Sequence, residues 1–270
     1  MEFRKLDQSQ PGQGMQFDVY AYERIAANTL GGAKNVHYAR ETGMVLYQLA
    51  IELSGGAVQL QPGAMQYVRG AVQMETVGGG GGVGGFLRRA VTSAGTGESS
   101  FRNRFSGHGT IWTEPTFQHL VVATLDSPAD ALLLDDRAFY AAEDSIKVEA
   151  HVNRNIAQGM LGGEGLIQPK ISGQGAFVLE SPVPASELDI IDLHNDQLIL
   201  DGDLALAFSA SLEFRIEKSQ RGVLNTHRSG EGLVHVFRGT GQVWVMPTMG
   251  LAQRFESPVQ NVFVTNPTTR

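Results

Sequence analysis

The chain has 270 residues, a formal net charge of −7 at pH 7, 42% hydrophobic residues and 18% charged residues. It has no cysteine, which excludes disulfides and thiolate metal sites. The acidic balance argues against a general nucleic-acid binder, because neutralising phosphates needs a basic surface. The length allows one large β domain or two smaller ones, and the hydrophobic fraction is ample for a buried core.

Residues 1–43 are predicted to form an N-terminal extension that precedes the core. The opening stretch "MEFRKLDQSQPGQG" has no apolar h-region, so it does not resemble a signal peptide. No stretch approaches the roughly 18 uninterrupted apolar residues that a membrane-spanning helix requires. We therefore predict a cytoplasmic protein, with peripheral contact to a membrane as an open alternative.

Residues 44–250 are predicted to form an all-β domain. Val, Ile, Phe and Thr recur with period two between Gly, Pro and Asp turn residues, and continuous helical periodicity is hard to find after residue 45. The pattern predicts three pseudo-equivalent multi-stranded units, over about 44–112, 118–178 and 185–245. The pairs that mark the units, spaced 66 residues apart, are Gly107-x-Gly109, Gly173-x-Gly175 and Gly239-x-Gly241.

A Gly-Glu motif precedes each Gly-x-Gly pair. We interpret it as a structural turn, because glycines permit tight turns and a glutamate can accept backbone N–H bonds. Three copies indicate fold maintenance more than catalysis, which usually needs one asymmetric site. The motif residues are Gly97, Glu98, Gly163, Glu164, Gly165, Gly230, Glu231 and Gly232, and Ser99 replaces the final glycine in the first copy.

Four motifs carry a family resemblance. They are "PGAMQY" at Pro62–Tyr67, the glycine-rich stretch Gly78–Gly85, "LGGEGL" at Leu161–Leu166 and "GEGLVHVFRGTGQVW" at 230–244. With this order and spacing the chain resembles the AIM24 family of bacterial and mitochondrial proteins, over about residues 44–250. The resemblance implies a β-sandwich or β-prism of three pseudo-equivalent units, with a fold similar to the tryptophan RNA-binding attenuator protein, and it implies no catalytic residues. RNA binding is not carried over, because a fold does not fix a function.

An apolar pair lies just before each Gly-Glu motif. If the three units surround a pseudo-threefold axis, these pairs meet at one end of the molecule beside arginines, as an interface for a membrane or a protein partner. The alternative is that the pairs turn inward and cap the core. These candidate interaction residues are Phe86, Leu87, Arg88, Arg89, Met160, Leu161, Val223 and Leu224.

Searches for catalytic or cofactor motifs give weak candidates only. Gly79, Gly81 and Gly84 match a dinucleotide fingerprint, but five consecutive glycines match almost any glycine pattern, and the βαβ context is missing. The "DLHND" stretch at 192–196 could hold a divalent metal if extended, although acidic turns look similar. There is no Gly-x-Ser-x-Gly elbow. We therefore assign no catalytic, cofactor or metal residue.

Two acidic pairs and two tryptophans complete the candidates. Asp135-Asp136 and Glu143-Asp144 are interpreted as solvated turns, where Asp is favoured on conformational grounds. Trp112 and Trp244 occupy equivalent strand positions, which predicts packing in the core or on a sheet face.

The sequence favours a non-enzymatic scaffold or interaction protein of unknown process. A metal- or ligand-binding enzyme with a site between units, and a nucleic-acid binder by fold analogy, stay open as alternatives. In the closing segment 251–270, an alternating run from Val259 to Val264 predicts an edge strand, and such an edge invites homo-oligomers.

Overall fold

The protein is an all-β structure, as the sequence predicted, and its described residues contain one α-helix and one short 3-10 helix (Ala185–Glu187). The computed structural model describes residues 4–78, 101–153, 166–218 and 233–249. The first elements are β1 (Arg4–Gly12), β2 (Met15–Tyr22), α1 (Leu30–Glu41), β3 (Tyr47–Leu60), β4 (Met65–Gly78), β5 (Phe101–Thr113), β6 (His119–Leu125) and β7 (Ala131–Leu134). They are followed by β8 (Phe139–Glu143), β9 (Lys147–Asn153), β10 (Leu166–Ser172), β11 (Gly175–Ser181), β12 (Asp189–Asp201), β13 (Ala205–Ser209), β14 (Glu213–Lys218) and β15 (Leu233–Val245).

The strands form two antiparallel sheets. The first runs in the order β1-β2-β3-β8-β11-β6, with β5 and β4 branching from β3. The second runs β12-β15-β13-β7-β10-β9, with β14 paired to β15. The first sheet curls until β1 approaches β6, where the Gln8 side-chain amide donates to the Leu120 carbonyl at 2.9 Å.

Residues ahead of the predicted core form a hairpin that belongs to the first sheet. β1 pairs with β2, and β2 pairs with β3 along Met15↔Leu53 to Ala21↔Tyr47. Met15, Phe17 and Val19 are buried on alternate positions of β2. This period-two pattern makes the segment a strand with one face in the core.

The α-helix α1 lies on the surface. Thr29 caps its first turn, since the Thr29 hydroxyl accepts the Gly32 N–H at 3.0 Å. Ala39 is the one buried residue of α1. Most of its other side chains are exposed, so the helix contributes little to the core.

The long strands group into three units, which we number by chain order. Unit 1 is β3–β5, unit 2 is β6–β11, and unit 3 is β12–β15. Each unit carries one Gly-x-Gly pair, whose first glycine has φ between 119° and 124° and whose second has φ between 149° and 157°. These left-handed values favour glycine. At Gly109 an added Cβ would lie 2.2 Å from the Arg69 carbonyl oxygen.

Backbone hydrogen bonds recur at the same places in the three units. The N–H groups of Glu114, Glu180 and Met246 donate to the carbonyls of Ala64, Ala138 and Leu204, at 2.7, 2.8 and 2.8 Å respectively. The cross-strand partners recur as well. Val68 faces Ile111 in unit 1, Ala142 faces Phe177 in unit 2, and Phe208 faces Val243 in unit 3.

Candidate interaction surface

Units 1 and 2 are joined by backbone pairing between one strand of each. β3 of unit 1 runs antiparallel to β8 of unit 2, and we call this contact seam 1–2. The Gln61 N–H extends the ladder by donating to the Tyr140 carbonyl at 2.8 Å. The paired residues are Val58↔Glu143, Gln59↔Ala142 and Leu60↔Ala141.

Units 2 and 3 are joined in the same way, at a contact that we call seam 2–3. β7 runs antiparallel to β13, and the Asp135 N–H donates to the Leu206 carbonyl at 2.9 Å. The paired residues are Leu132↔Ser209, Leu133↔Phe208 and Leu134↔Ala207. Each residue of seam 2–3 occupies the place of one residue of seam 1–2.

The two seams join the units in a row, in the order 1-2-3. At the two ends of this row, the described strands that correspond to the seam strands are unpaired on their outer side. Within the described residues, β4 of unit 1 pairs only with β5, and β12 of unit 3 pairs only with β15. Val68 on β4 is 37% exposed, whereas Phe208, at the same place in seam 2–3, is 2% exposed. Ile199 on β12 is 53% exposed, whereas its counterpart Leu133 is 3% exposed. Unpaired strand edges with apolar side chains are typical sites of strand addition.

An aromatic cluster lies beside the unpaired edge of β4. The rings of Tyr67 and Trp112 stack with centroids 6.0 Å apart, and Tyr20 lies 5.3 Å from Trp112 on a tilted plane. The Arg4 guanidinium lies 4.0 Å above the Trp112 ring, a cation–π distance. Tyr67 is exposed, so part of this cluster is open to a partner. Trp112 therefore packs on a sheet face, as the sequence predicted.

Glu143 is buried, and our interpretation of Glu143-Asp144 as a solvated turn is wrong for this residue. It ends β8 with 3% of its surface exposed. Its Oε1 accepts the Ala176 N–H at 2.7 Å and its Oε2 accepts the Gln13 N–H at 3.2 Å. The carboxylate thus joins the turn of the N-terminal hairpin to seam 1–2. The Gln13 N–H of that turn and the Ala176 N–H of β11 are the donors that make burial of a charge tolerable.

The matching place at seam 2–3 is an open polar cleft. Ser209 stands where Glu143 stands in seam 1–2, and its hydroxyl accepts the Gln242 N–H at 2.8 Å. The cleft has a volume of about 370 Å³, and Asp126 and Asp130 lie on its rim. Trp244 also lines it, and within the described residues its indole Nε1–H has no hydrogen-bond partner. Ser209 is smaller than Glu143, and no hairpin turn from the described part of the chain lies at this place, which leaves the space open.

A second acidic group lies at the β7–β8 turn. Burial, together with the neighbouring carboxylate of Asp203, raises the pKa of Asp135 to about 7, while the hydrogen bond from the Asp136 N–H opposes the rise. Burial lowers the pKa of His235, and Asp203, whose carboxylate is 3.8 Å from its ring, opposes that decrease. Asp135 is only partly exposed, so the solvated-turn interpretation holds for Asp136 and is wrong for Asp135.

The weak metal candidate does not form a ligand cluster. Asp192 lies on β12, where its carboxylate accepts the side-chain amide of Gln242 at 2.9 Å. Asn195, with φ of 55°, bulges between His194 and Asp196 and breaks the alternation that would put all three on one face. Over the described ranges, no group of three His, Asp or Glu side chains is arranged to hold a metal ion.

The residues that the sequence singled out for interaction lie outside the described residues. These are Phe86, Leu87, Arg88, Arg89, Met160, Leu161, Val223 and Leu224. The Gly-Glu turn residues also lie outside them, namely Gly97, Glu98, Gly163, Glu164, Gly165, Gly230, Glu231 and Gly232. The dinucleotide-like glycines and the closing segment 251–270 lie outside them too. The predictions that concern these four groups of residues stay predictions.

Sequence reasoning missed the residues at the two unpaired edges. Val68 lies in the stretch "QYVRG" of the predicted unit 44–112, and Ile199 lies in "LILDG" of the predicted unit 185–245. The similarity between units is the signal that could have found them, since each corresponds to residues that are buried at a seam. The sequence does not show the order in which the units join.

The fold and its edges define an all-β protein whose units are joined by strand pairing. A family model described as mitochondrial biogenesis AIM24 matches residues 40–248. The chain therefore belongs to the AIM24 family, and the resemblance stated from its motifs is confirmed.

Two relatives place the chain among proteins without an assigned activity. It is 28% identical over 196 residues to an uncharacterized protein of Streptococcus pyogenes serotype M6, covering 71% of this chain and 77% of that relative. It is also similar to a Streptococcus pyogenes protein solved by X-ray crystallography, with 25% identity and a TM-score of 0.55. That match covers 89% of this chain and 99% of the solved chain.

Among the described residues, no helix is both long and apolar enough to cross a membrane.

Proposed function

We propose that the protein is a non-enzymatic scaffold that works by binding other protein chains along the edges of its sheets. One observation supports this most strongly: Val68 and Ile199 are exposed apolar residues on unpaired strands, at positions that are buried inside both seams. Backbone N–H and C=O groups on such strands supply affinity, and the apolar side chains supply the buried contact.

The proposal includes finer points from the sequence. We propose that the three units are an internal repeat with an attenuator-protein-like arrangement, which the shared registers and hydrogen bonds support. We also propose a cytoplasmic location. The acidic net charge of −7 argues against nucleic acid as the partner.

Native mass spectrometry on protein purified gently from its own host tests the scaffold proposal. We expect a defined assembly of protein chains that carries no reproducible metal, nucleotide or other small molecule. Val68→Lys should remove the partner chain from that assembly, because it puts a charged side chain where the contact would bury an apolar one. Leu30→Lys, on the exposed helix, is the matched control and should leave the assembly intact. A reproducible extra mass of metal or cofactor would contradict the proposal and favour an enzyme.

The cleft at seam 2–3 favours a second candidate, a binding site for a small ligand. The Trp244 side chain would contact an apolar group of the ligand, and the carboxylates of Asp126 and Asp130 would attract an amino group. We expect a small compound with both groups to change the fluorescence of Trp244 in a Trp112→Phe background. Asp130→Asn should weaken that response, and an unchanged response would contradict this candidate.

A further inference from the structure

The two seams show that one strand pairing is used twice in the same chain. Three residues of β3 pair with three residues of β8 in seam 1–2, and three residues of β7 pair with three residues of β13 in seam 2–3. We call β3 and β7 the outer strands of the seams, and β8 and β13 the receiving strands. In both seams, a backbone N–H at the end of the ladder donates to a carbonyl across the seam, at 2.8 and 2.9 Å. The interface therefore depends on backbone register more than on side-chain identity, since its residues differ between the two places.

Alignment of the units identifies which residues would form a third copy of the seam. Val58, Leu132 and Leu198 face Phe105, Ile171 and Phe237 of the middle strands, which are spaced 66 residues apart. Leu198–Leu200 of β12 therefore corresponds to 58–60 and to 132–134. By the same comparison, 67–69 of β4 corresponds to 141–143 and to 207–209.

Each end of the row thus carries one half of a seam. Unit 3 offers the outer strand with Leu198–Leu200, and unit 1 offers the receiving strand with 67–69. Within the described residues, neither is paired on this side, and β12 and β4 do not pair with each other. The two halves are complementary, because the same kinds of strand already bind each other twice in the chain.

We propose that a second copy of this chain occupies each open edge, so that β12 of one copy pairs with β4 of the next. This rests on the proposed scaffold function and names its partner. The register follows from the two existing seams: Leu198 opposite Arg69, Ile199 opposite Val68 and Leu200 opposite Tyr67. The contact is head-to-tail, so the copies build a closed ring if the rotation closes and a filament if it does not.

Side chains at the predicted contact fit this pairing. Val68 and Ile199 would cover each other on one face of the new sheet, as Phe208 and Leu133 do in seam 2–3. Tyr67 would bring the aromatic cluster over Leu200, which already packs in the core of unit 3. Arg69 would lie diagonally across from Asp196, so the two nearest charges would be of opposite sign.

Engineered cysteines test the register cleanly, because the chain has no cysteine of its own. The single variants Val68→Cys and Ile199→Cys are mixed as folded full-length protein in dilute oxidised glutathione. We expect a disulfide-linked heterodimer, and a ladder of multiples from the double variant. The control mixture of Val68→Cys with Asp201→Cys should cross-link at least tenfold less, because diagonal positions are too far apart for a disulfide without backbone movement.

Three outcomes would overturn the inference. Cross-linking in the control as fast as in the test pair would mean that no register is formed. A double variant that forms only a disulfide within one chain, with no heterodimer from the single variants, would mean that the row closes on itself. A different protein in the native assembly, lost in Val68→Lys, would preserve the scaffold function while refuting self-association.

Discussion

Replacing Glu143 with Ala should be among the most damaging single changes in the described part of the chain. The carboxylate is 3% exposed and accepts two backbone N–H groups, from Ala176 at 2.7 Å and from Gln13 at 3.2 Å. Hydrogen bonds to a charged group contribute roughly 1.5–3 kcal/mol each, and buried donors left without an acceptor cost about 1–3 kcal/mol. Counting the short, buried bond fully and the longer one partly, we expect Glu143→Ala to lower the free energy of unfolding by about 3–4 kcal/mol.

The matched control is Ser209, which occupies the same place in unit 3. Ser209→Ala removes one bond to the more exposed Gln242 N–H and should cost about 1 kcal/mol. Glu143→Gln keeps one carbonyl acceptor, so its loss of unfolding free energy should lie between those of Glu143→Ala and Ser209→Ala. Urea unfolding measures all three, and hydrogen exchange at the Ala176 amide reports the lost bond directly. If Glu143→Ala costs no more than Ser209→Ala, the assigned role of the carboxylate is wrong.

Three further changes test other features of the molecule. Because burial raises the pKa of Asp135 to about 7 from its ordinary 3.8, its stabilising contribution is present below the ordinary value and is lost as the pH rises through 7. Asp135→Asn should therefore raise the free energy of unfolding by about 1–3 kcal/mol near pH 8, and the gain should vanish near pH 4 in urea titrations; a gain that grows on acidification would refute this. Gly107→Ala should lower the free energy of unfolding by about 3 kcal/mol, because at φ of 124° the new Cβ would lie 2.3 Å from the Ala71 carbonyl oxygen. The control Gly31→Ala, where no atom lies within 4 Å of the new Cβ, should leave the stability unchanged or slightly higher; thermal melting measures both. Trp244→Phe should change stability by less than about 1.5 kcal/mol, because loss of an unpaired indole N–H offsets the lost volume; a larger decrease would reveal a missing partner.

The all-β fold could be predicted because its signal is local. Alternating apolar residues and turn glycines recur along the chain, and the spacing of 66 residues fixed which glycines correspond. The φ values at Gly107, Gly173 and Gly239 lie within a few degrees of each other, so the three glycines have the same backbone conformation. A positive φ favours glycine, so a glycine that recurs at the same place in each unit indicates this backbone conformation from the sequence alone.

The environments of two acidic residues could not be predicted from the sequence. Glu143 looks like a turn residue, and nothing nearby in the sequence shows that Gln13 and Ala176 converge on it. Asp135 has a raised pKa because the fold buries its carboxyl group and brings Asp203 close, although the two residues are far apart along the chain. The hairpin at Arg4–Tyr22 was missed as a core element for a related reason. Its alternation is clear in β2, but its pairing with β3 depends on long-range contact.

The N-terminal hairpin has a mechanical consequence for how the molecule comes apart. Residues 4–22 precede the family-matched residues, which begin at 40, yet their turn is bound to Glu143 at the first seam. Arg4 lies at the open end of the hairpin, opposite Tyr22, so a force applied to that end separates β1 and β2 one residue pair at a time. A translocating machine that pulls on the N-terminus would first meet only the small resistance of the β1–β2 residue pairs, which separate one after another. The larger, cooperative resistance would come only after the carboxylate of Glu143 had lost its bond to the Gln13 N–H.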